Sequence, residues 1–220
     1  MEGEVAAIKP VLRGWSHAVA TVPALAGAVA LAVAAQQRHA LQLSLLVYGV
    51  ALVLLFGVSA TYHVPPWSAR WKERWRRFDH ASIFVMIAGT YTAIASNILD
   101  GWLRVVILTV IWTLASVGIV VCASPLRLPR PALALMYVST GWVAVVAMPA
   151  LIARLSATGL IFLVTGGVLY SAGAIVYTLR RPVLWPRVFG YHELFHLIVI
   201  AATALFFAFI AADIVAVQRG

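Results

Sequence analysis

The chain has 220 residues, of which 63% are hydrophobic and only 10% charged, with a mean hydropathy of +0.98. That composition excludes an ordinary soluble domain and places the chain in a membrane. The formal charge of +9 does not point to nucleic acid, because the basic residues flank apolar runs, and a single cysteine, Cys122, excludes an internal disulfide framework.

Runs long enough to cross about 30 Å of hydrocarbon predict an all-α bundle of seven transmembrane helices forming one domain, 1–220. Their expected bounds are 15–35, 43–63, 80–98, 103–122, 132–152, 159–179 and 191–217. The first follows Lys9 and Arg13 and ends in Ala32-Val33-Ala34, the outline of a signal peptide. Its apolar stretch of about 20 residues is long for that role and more runs follow at once, so it reads as a membrane helix. His17 within it reads as a packing or hydrogen-bonding residue, with contact to a site as the alternative. The second run ends at His63, with Ser59 one turn earlier on the same face. After it, Trp67, Trp71 and Trp75 recur every fourth residue among the basic positions 70–77, predicting a short amphipathic interfacial helix. The third run opens at Asp79-His80. Loops are short and punctuated by Pro65-Pro66, Asp100-Gly101, Pro125, Pro129, Pro131, Pro182 and Pro186. In the sixth, Thr165-Gly166-Gly167 and Ser171-Ala172-Gly173 are small-residue faces suited to close packing. The seventh begins with Tyr191-His192-Glu193-Leu194-Phe195-His196 and carries Asp213 near its other end. His39 reads as a solvated loop residue.

Positive charge sorts between alternate loops. Lys9, Arg13, Arg70, Lys72, Arg74, Arg76, Arg77, Arg127, Arg130, Arg180, Arg181 and Arg187, twelve of sixteen, fall on one side; Arg38, Arg104, Arg154 and Arg219 fall on the other. The positive-inside rule then predicts a cytoplasmic N-terminus and an extracytoplasmic C-terminus in a plasma (inner) membrane, with anionic inner-leaflet lipids as partners of the basic loops. An odd number of helices agrees with that orientation.

Orientation makes the polar residues converge. His63 at the end of helix two, Asp79 and His80 at the start of helix three, and His192 and His196 in the first turns of helix seven all lie at the cytoplasmic depth. His192 and His196, four apart, share a helix face. Ionisable residues in a membrane are functional candidates, and three imidazoles suit zinc with a fourth position open to water. His63, His192 and His196 are the expected metal ligands. Asp79 is the expected carboxylate for holding water and accepting its proton, and Ser59 the hydroxyl that orients water or substrate. His80, one position beyond Asp79 and about 100° round the helix, is expected to hydrogen-bond between helices or to support the ligands. His192-Glu193-x-x-His196 also matches the zinc-protease pattern, with Glu193 as base; only Asp213, several turns on, follows as a third ligand there. The only lysines, Lys9 and Lys72, lie outside the membrane core and exclude a retinal Schiff base on helix seven.

These residues resemble the hemolysin III group of the progestin and adiponectin receptor superfamily. Ser59-Ala60-Thr61-Tyr62-His63 looks like its Ser-x-x-x-His element. Phe78-Asp79-His80 through Ala88-Gly89-Thr90-Tyr91-Thr92, Gly141-Trp142, Gly166-Gly167-Val168-Leu169-Tyr170 and His192-x-x-x-His196 fit further stretches across nearly the whole chain. The resemblance implies seven helices with a cytoplasmic N-terminus, zinc on three histidines mapping to His63, His192 and His196, and the family's aspartate and serine at Asp79 and Ser59. It also implies kinship with receptors of ceramidase-like activity. The chain departs from the bacterial pattern before His17, where Val11-Leu12-Arg13-Gly14-Trp15-Ser16 lacks the acidic residues common there.

The expected activity is zinc-dependent hydrolysis of a lipid amide or ester at the inner leaflet. The alternatives are a sensor of membrane state with structural zinc and, further down, a pore-forming cytolysin.

Overall fold

The computed structural model describes residues 9–216; Val217 and Arg219 lie outside them. The helices in chain order are α1 (Trp15–Ala34), α2 (His39–His63), α3 (Ala69–Ile98), α4 (Gly101–Ala123), α5 (Arg130–Gly141), α6 (Ala144–Arg154), α7 (Ala157–Leu179) and α8 (Tyr191–Phe209), the last continuing as a π-helical segment, Ile210–Ala216. Among the described residues these make seven spans long and apolar enough to cross a membrane, α5 and α6 together forming the fifth. The chain is an integral, multi-pass membrane protein.

Three expectations about element bounds are corrected. The tryptophan-rich stretch is not a separate interfacial helix: Trp71 and Trp75 lie in the first turns of α3, which runs unbroken for 30 residues. No proline interrupts it; Pro65-Pro66 follow the end of α2, and the extended Ser68 precedes the first turn of α3. Trp67 lies outside the helix, stacks on Trp75 at 5.8 Å and donates its indole N–H to Thr61 O at 2.6 Å, folding the α2–α3 connection back on itself. Second, α2 begins four residues earlier than expected, with His39 exposed at its head. Third, the fifth span breaks between Gly141 and Ala144. Glycine is a poor helix former, and Gly141 is the last residue of α5. A broken helix in hydrocarbon must satisfy its freed backbone groups. Tyr91 on α3 does so: its hydroxyl donates to Gly141 O and accepts from Ala144 N, both at 2.6 Å.

The apolar pattern is partly inside out, as lipid permits. On α1, Val19, Val22, Leu25, Val29 and Val33 point outward, whereas Ala20 and Ala24 are buried. Helices α2 and α3 form the centre and approach closely where a Cβ on Gly89 would lie 2.6 Å from Ala51 Cβ. The small-residue faces of α7 meet α8: Gly166 lies against the Phe206 ring and Gly173 against Phe195 and Ile198. At the end far from the histidines, Ser156 caps α7 by accepting from Gly159 N and donates its hydroxyl to Asp213 at 2.8 Å.

Inside the bundle lies a cavity of about 1180 Å³ bordered by α3, α5, α6, α7 and α8. One face of α3 lines it through Asp79, Ile83, Met86, Thr90 and Ile94. At 1.5 Å per residue, Asp79 to Ile94 spans about 22 Å, so the cavity runs through most of the membrane thickness. Its charged residues and histidines are confined to the end where α1 and α8 begin and α2 ends, and the rest of its wall is largely apolar, with Thr90, Tyr91, Tyr170 and Ser171 as polar exceptions.

Candidate metal centre

Two helices deliver the predicted ligands to one point. His63 is the last residue of α2, and His192 and His196 occupy successive turns at the start of α8. Their ligand atoms lie within 4.8 Å of one another. His63 Nε2 and His192 Nε2 face each other at 3.2 Å. Two nitrogens bound tetrahedrally at 2.0–2.1 Å would stand about 3.3 Å apart, so this separation fits a shared zinc. His196 is 2% exposed, and its Nδ1 has no hydrogen-bond partner among the described residues. The donor set therefore fits zinc, both in its chemistry and in holding a buried polar atom that the protein itself does not satisfy.

Asp79 completes the cluster. One carboxylate oxygen lies 4.0 Å from His63 Nε2 and 3.4 Å from His80 Nδ1. His80 thus stands beside the carboxylate, while its backbone carbonyl accepts from Tyr137 at 3.0 Å, tying α3 to α5. Ser59, one turn before His63, is buried and hydrogen-bonded to His17 Nδ1 at 2.9 Å.

His17 belongs to the site itself. Its ring stacks on His196 with centroids 3.8 Å apart and planes 9° from parallel, and it meets Phe56 edge-on. Helix α1 therefore braces His196, carried by α8. The turn before α1 is also built into the site. Gly14 has φ +86°, and a Cβ there would overlap His63 Cβ, so only glycine fits both the backbone conformation and the contact.

Glu193 does not face the metal position. It is 2% exposed, pairs with Arg13 through one oxygen and accepts the Gly190 N–H at 2.7 Å through the other. This caps α8 in the manner of a capping box and leaves no carboxylate oxygen free to act as base. The zinc-protease reading fails on that geometry. The residues just before α1 are held in place as well: Val11 N and Leu12 N donate to Arg187 O and Val188 O, and Lys9 Nζ donates to Val64 O at 3.2 Å.

A family model described as Haemolysin-III related matches residues 5–207, a stretch containing every residue of this centre. The chain belongs to the haemolysin-III family. Within that family it is 35% identical over 161 residues to Hemolysin-3 of Bacillus cereus, covering 73% of this chain and 70% of the relative. It is 32% identical over 164 residues to a Hemolysin-3 homolog of Bacillus subtilis (strain 168), covering 74% of each.

Sequence reasoning found His63, His192, His196, Asp79 and Ser59, and the structure brings them together. It undervalued His17 and missed Gly14 and the Arg13–Glu193 pair. One signal for the pair was present: an isolated glutamate inside an apolar helix demands a cation, and Arg13 lies on the side of the membrane where Glu193 was expected.

Proposed function

We propose that this haemolysin-III family protein is a zinc-dependent hydrolase that cleaves a lipid amide or ester at the cytoplasmic face of the plasma membrane. The observation that carries the reading is a three-histidine cluster, sized for one metal and flanked by Asp79, at the polar end of a long apolar cavity. Such a cavity exceeds the usual 300–1,000 Å³ of small-ligand pockets and suits an acyl chain whose carbonyl stops at the polar end. Zinc held by His63, His192 and His196 supplies Lewis acidity toward a carbonyl and toward water. Asp79 accepts the proton of the attacking water and returns it to the departing amine or alcohol as the C–N or C–O bond breaks. Ser59, its hydroxyl held by His17, orients water or the carbonyl. Arg13 and Glu193 fix the start of α8 and thereby the angle at which His192 and His196 are presented.

A structural zinc joining α2 to α8 in a membrane-state sensor is the second reading. It is favoured by the depth at which His17 and His196 are stacked and buried. The relatives' name suggests haemolysis, yet the cavity beyond Asp79 is walled by residues such as Ile94, Leu99 and Leu151, which suit a hydrocarbon chain better than an ion path. The test is metal analysis and lipid turnover on detergent-purified protein. About one zinc per chain, lost in His63→Ala and His196→Ala and kept in Asp79→Ala, is expected, with release of fatty acid lost in all three. Zinc without turnover of any lipid amide or ester leaves the sensor reading; absence of metal from unchelated wild-type protein refutes both.

A further inference from the structure

The cavity is basic at its rim. Seven cationic side chains line it at the histidine-bearing end, against two carboxylates, Glu73 and Asp79. Some are engaged by the protein: Arg13 pairs with Glu193, Arg76 with Glu73 at 2.7 Å, and Arg130 donates to the Tyr191 hydroxyl at 3.1 Å while lying over the Tyr177 ring. Lys72 and Arg187 are exposed and make no ion pair or side-chain hydrogen bond among the described residues. Lys9, between them in function, spends its ammonium on one backbone carbonyl. Its pKa is lowered first by partial burial and then by the neighbouring Lys72 and Arg13. Cations thus outnumber carboxylates at the opening of the cavity, and Glu73 there is already engaged by Arg76 and Arg77. Topology alone does not require this, since Arg70 and Arg181 serve the same end of the bundle without lining the cavity.

We propose that the lipid taken by this cavity carries an anionic head group, a phosphate or carboxylate gripped by Lys72, Arg187 and Lys9 at the rim while the acyl chain lies along α3. This rests on the lipid-hydrolase reading for the orientation of the substrate and narrows it: neutral ceramide-like lipids become poor ligands. The cationic rim would hold the head, and the bond to be cut would stop beside Asp79.

Binding is measured by native mass spectrometry on chelator-stripped protein, so that it is read without turnover. The probes share an oleoyl chain: lysophosphatidate, oleate and neutral monooleoylglycerol, with inorganic phosphate as the chainless anion. Both anionic lipids should bind at least about tenfold more tightly than monooleoylglycerol. Lys72→Gln/Arg187→Asn should erase that preference; asparagine suits the left-handed φ of 71° at position 187. Arg70→Gln/Arg181→Gln should keep it. Equal affinity for charged and neutral lipids, or equal loss in both double variants, would overturn the proposal in favour of general attraction to basic loops. Saturable phosphate binding with no gain from the chain would assign the rim to a free anion and overturn the lipid. If the preference holds while the metal-loaded protein cleaves nothing, the hydrolase reading fails and the anionic-lipid site stands.

Discussion

The Arg13–Glu193 pair offers a measurement whose outcome the structure orders in advance. Glu193 has 3% side-chain exposure and Arg13 20%. Glu193→Gln keeps the shape and an oxygen for the Gly190 N–H, but removes the charge opposite Arg13. Loss of a charge-assisted hydrogen bond costs about 1.5–3 kcal/mol, and Arg13, with a path to solvent, escapes the rest; about 2–3 kcal/mol is expected. Arg13→Gln strands a carboxylate that cannot reach water, which belongs to the range of about 3–5 kcal/mol for breaking a buried pair from one side. For a chain of this length those values correspond to losses in Tm of roughly 4–12 °C and 6–20 °C. The double variant, with two amides facing each other, should be more stable than the sum of the single losses by more than about 1 kcal/mol. Thermal unfolding followed by tryptophan fluorescence in detergent reads all four proteins. The reasoning is refuted if Glu193→Gln costs more than Arg13→Gln, or if the two losses simply add.

Gly14→Ala should lower zinc affinity at least about tenfold and destabilise by more than about 1 kcal/mol, because it combines an unfavourable φ with displacement of His63; metal titration with a chromophoric chelator checks it, and wild-type affinity would sink the argument. Tyr91→Phe leaves Gly141 O and Ala144 N unpaired at the helix break and should cost about 2–3 kcal/mol, seen as a lower Tm with zinc content unchanged. His17→Ala should retain the three ligands yet weaken zinc by about 10–100-fold through the lost brace on His196 and the freed Ser59 hydroxyl, whereas His17→Phe, which keeps a ring for stacking, should recover part of that loss. Gly89→Leu should overpack the α2–α3 contact and cost about 1–3 kcal/mol or more; an unchanged Tm would show that the two helices can separate there.

The seven spans were legible because each is an apolar run of about 20 residues, the shared face of His192 and His196 because a four-residue spacing needs no tertiary knowledge, and the nearness of His63 because loop charge set the direction of each helix. The early start of α3 was not, since its first turns carry Arg70 to Arg77 and hydropathy sees only the core of a span. The break at Gly141 was hidden because one glycine in a hydrophobic run is commonplace, and the residue that makes the break tolerable, Tyr91, lies two spans away in sequence. His17 was underrated for a related reason: how α1 is rotated against α8 is decided by packing of small residues and not by any local period.

The span of the Arg13–Glu193 contact, 180 positions along the chain, has a consequence for biogenesis. Synthesis proceeds from the N-terminus, so His17, Ser59, His63 and Asp79 enter the bilayer well before the helix that covers them exists. Until Tyr191 to His196 arrive, those groups form an uncovered polar notch in hydrocarbon, a costly arrangement. One event then brings two imidazoles, a stacking partner for His17 and the counter-charge for Arg13. A product truncated before α8 would keep most of its spans and still display that notch, giving membrane quality control a chemical mark by which to tell an unfinished chain from a finished one.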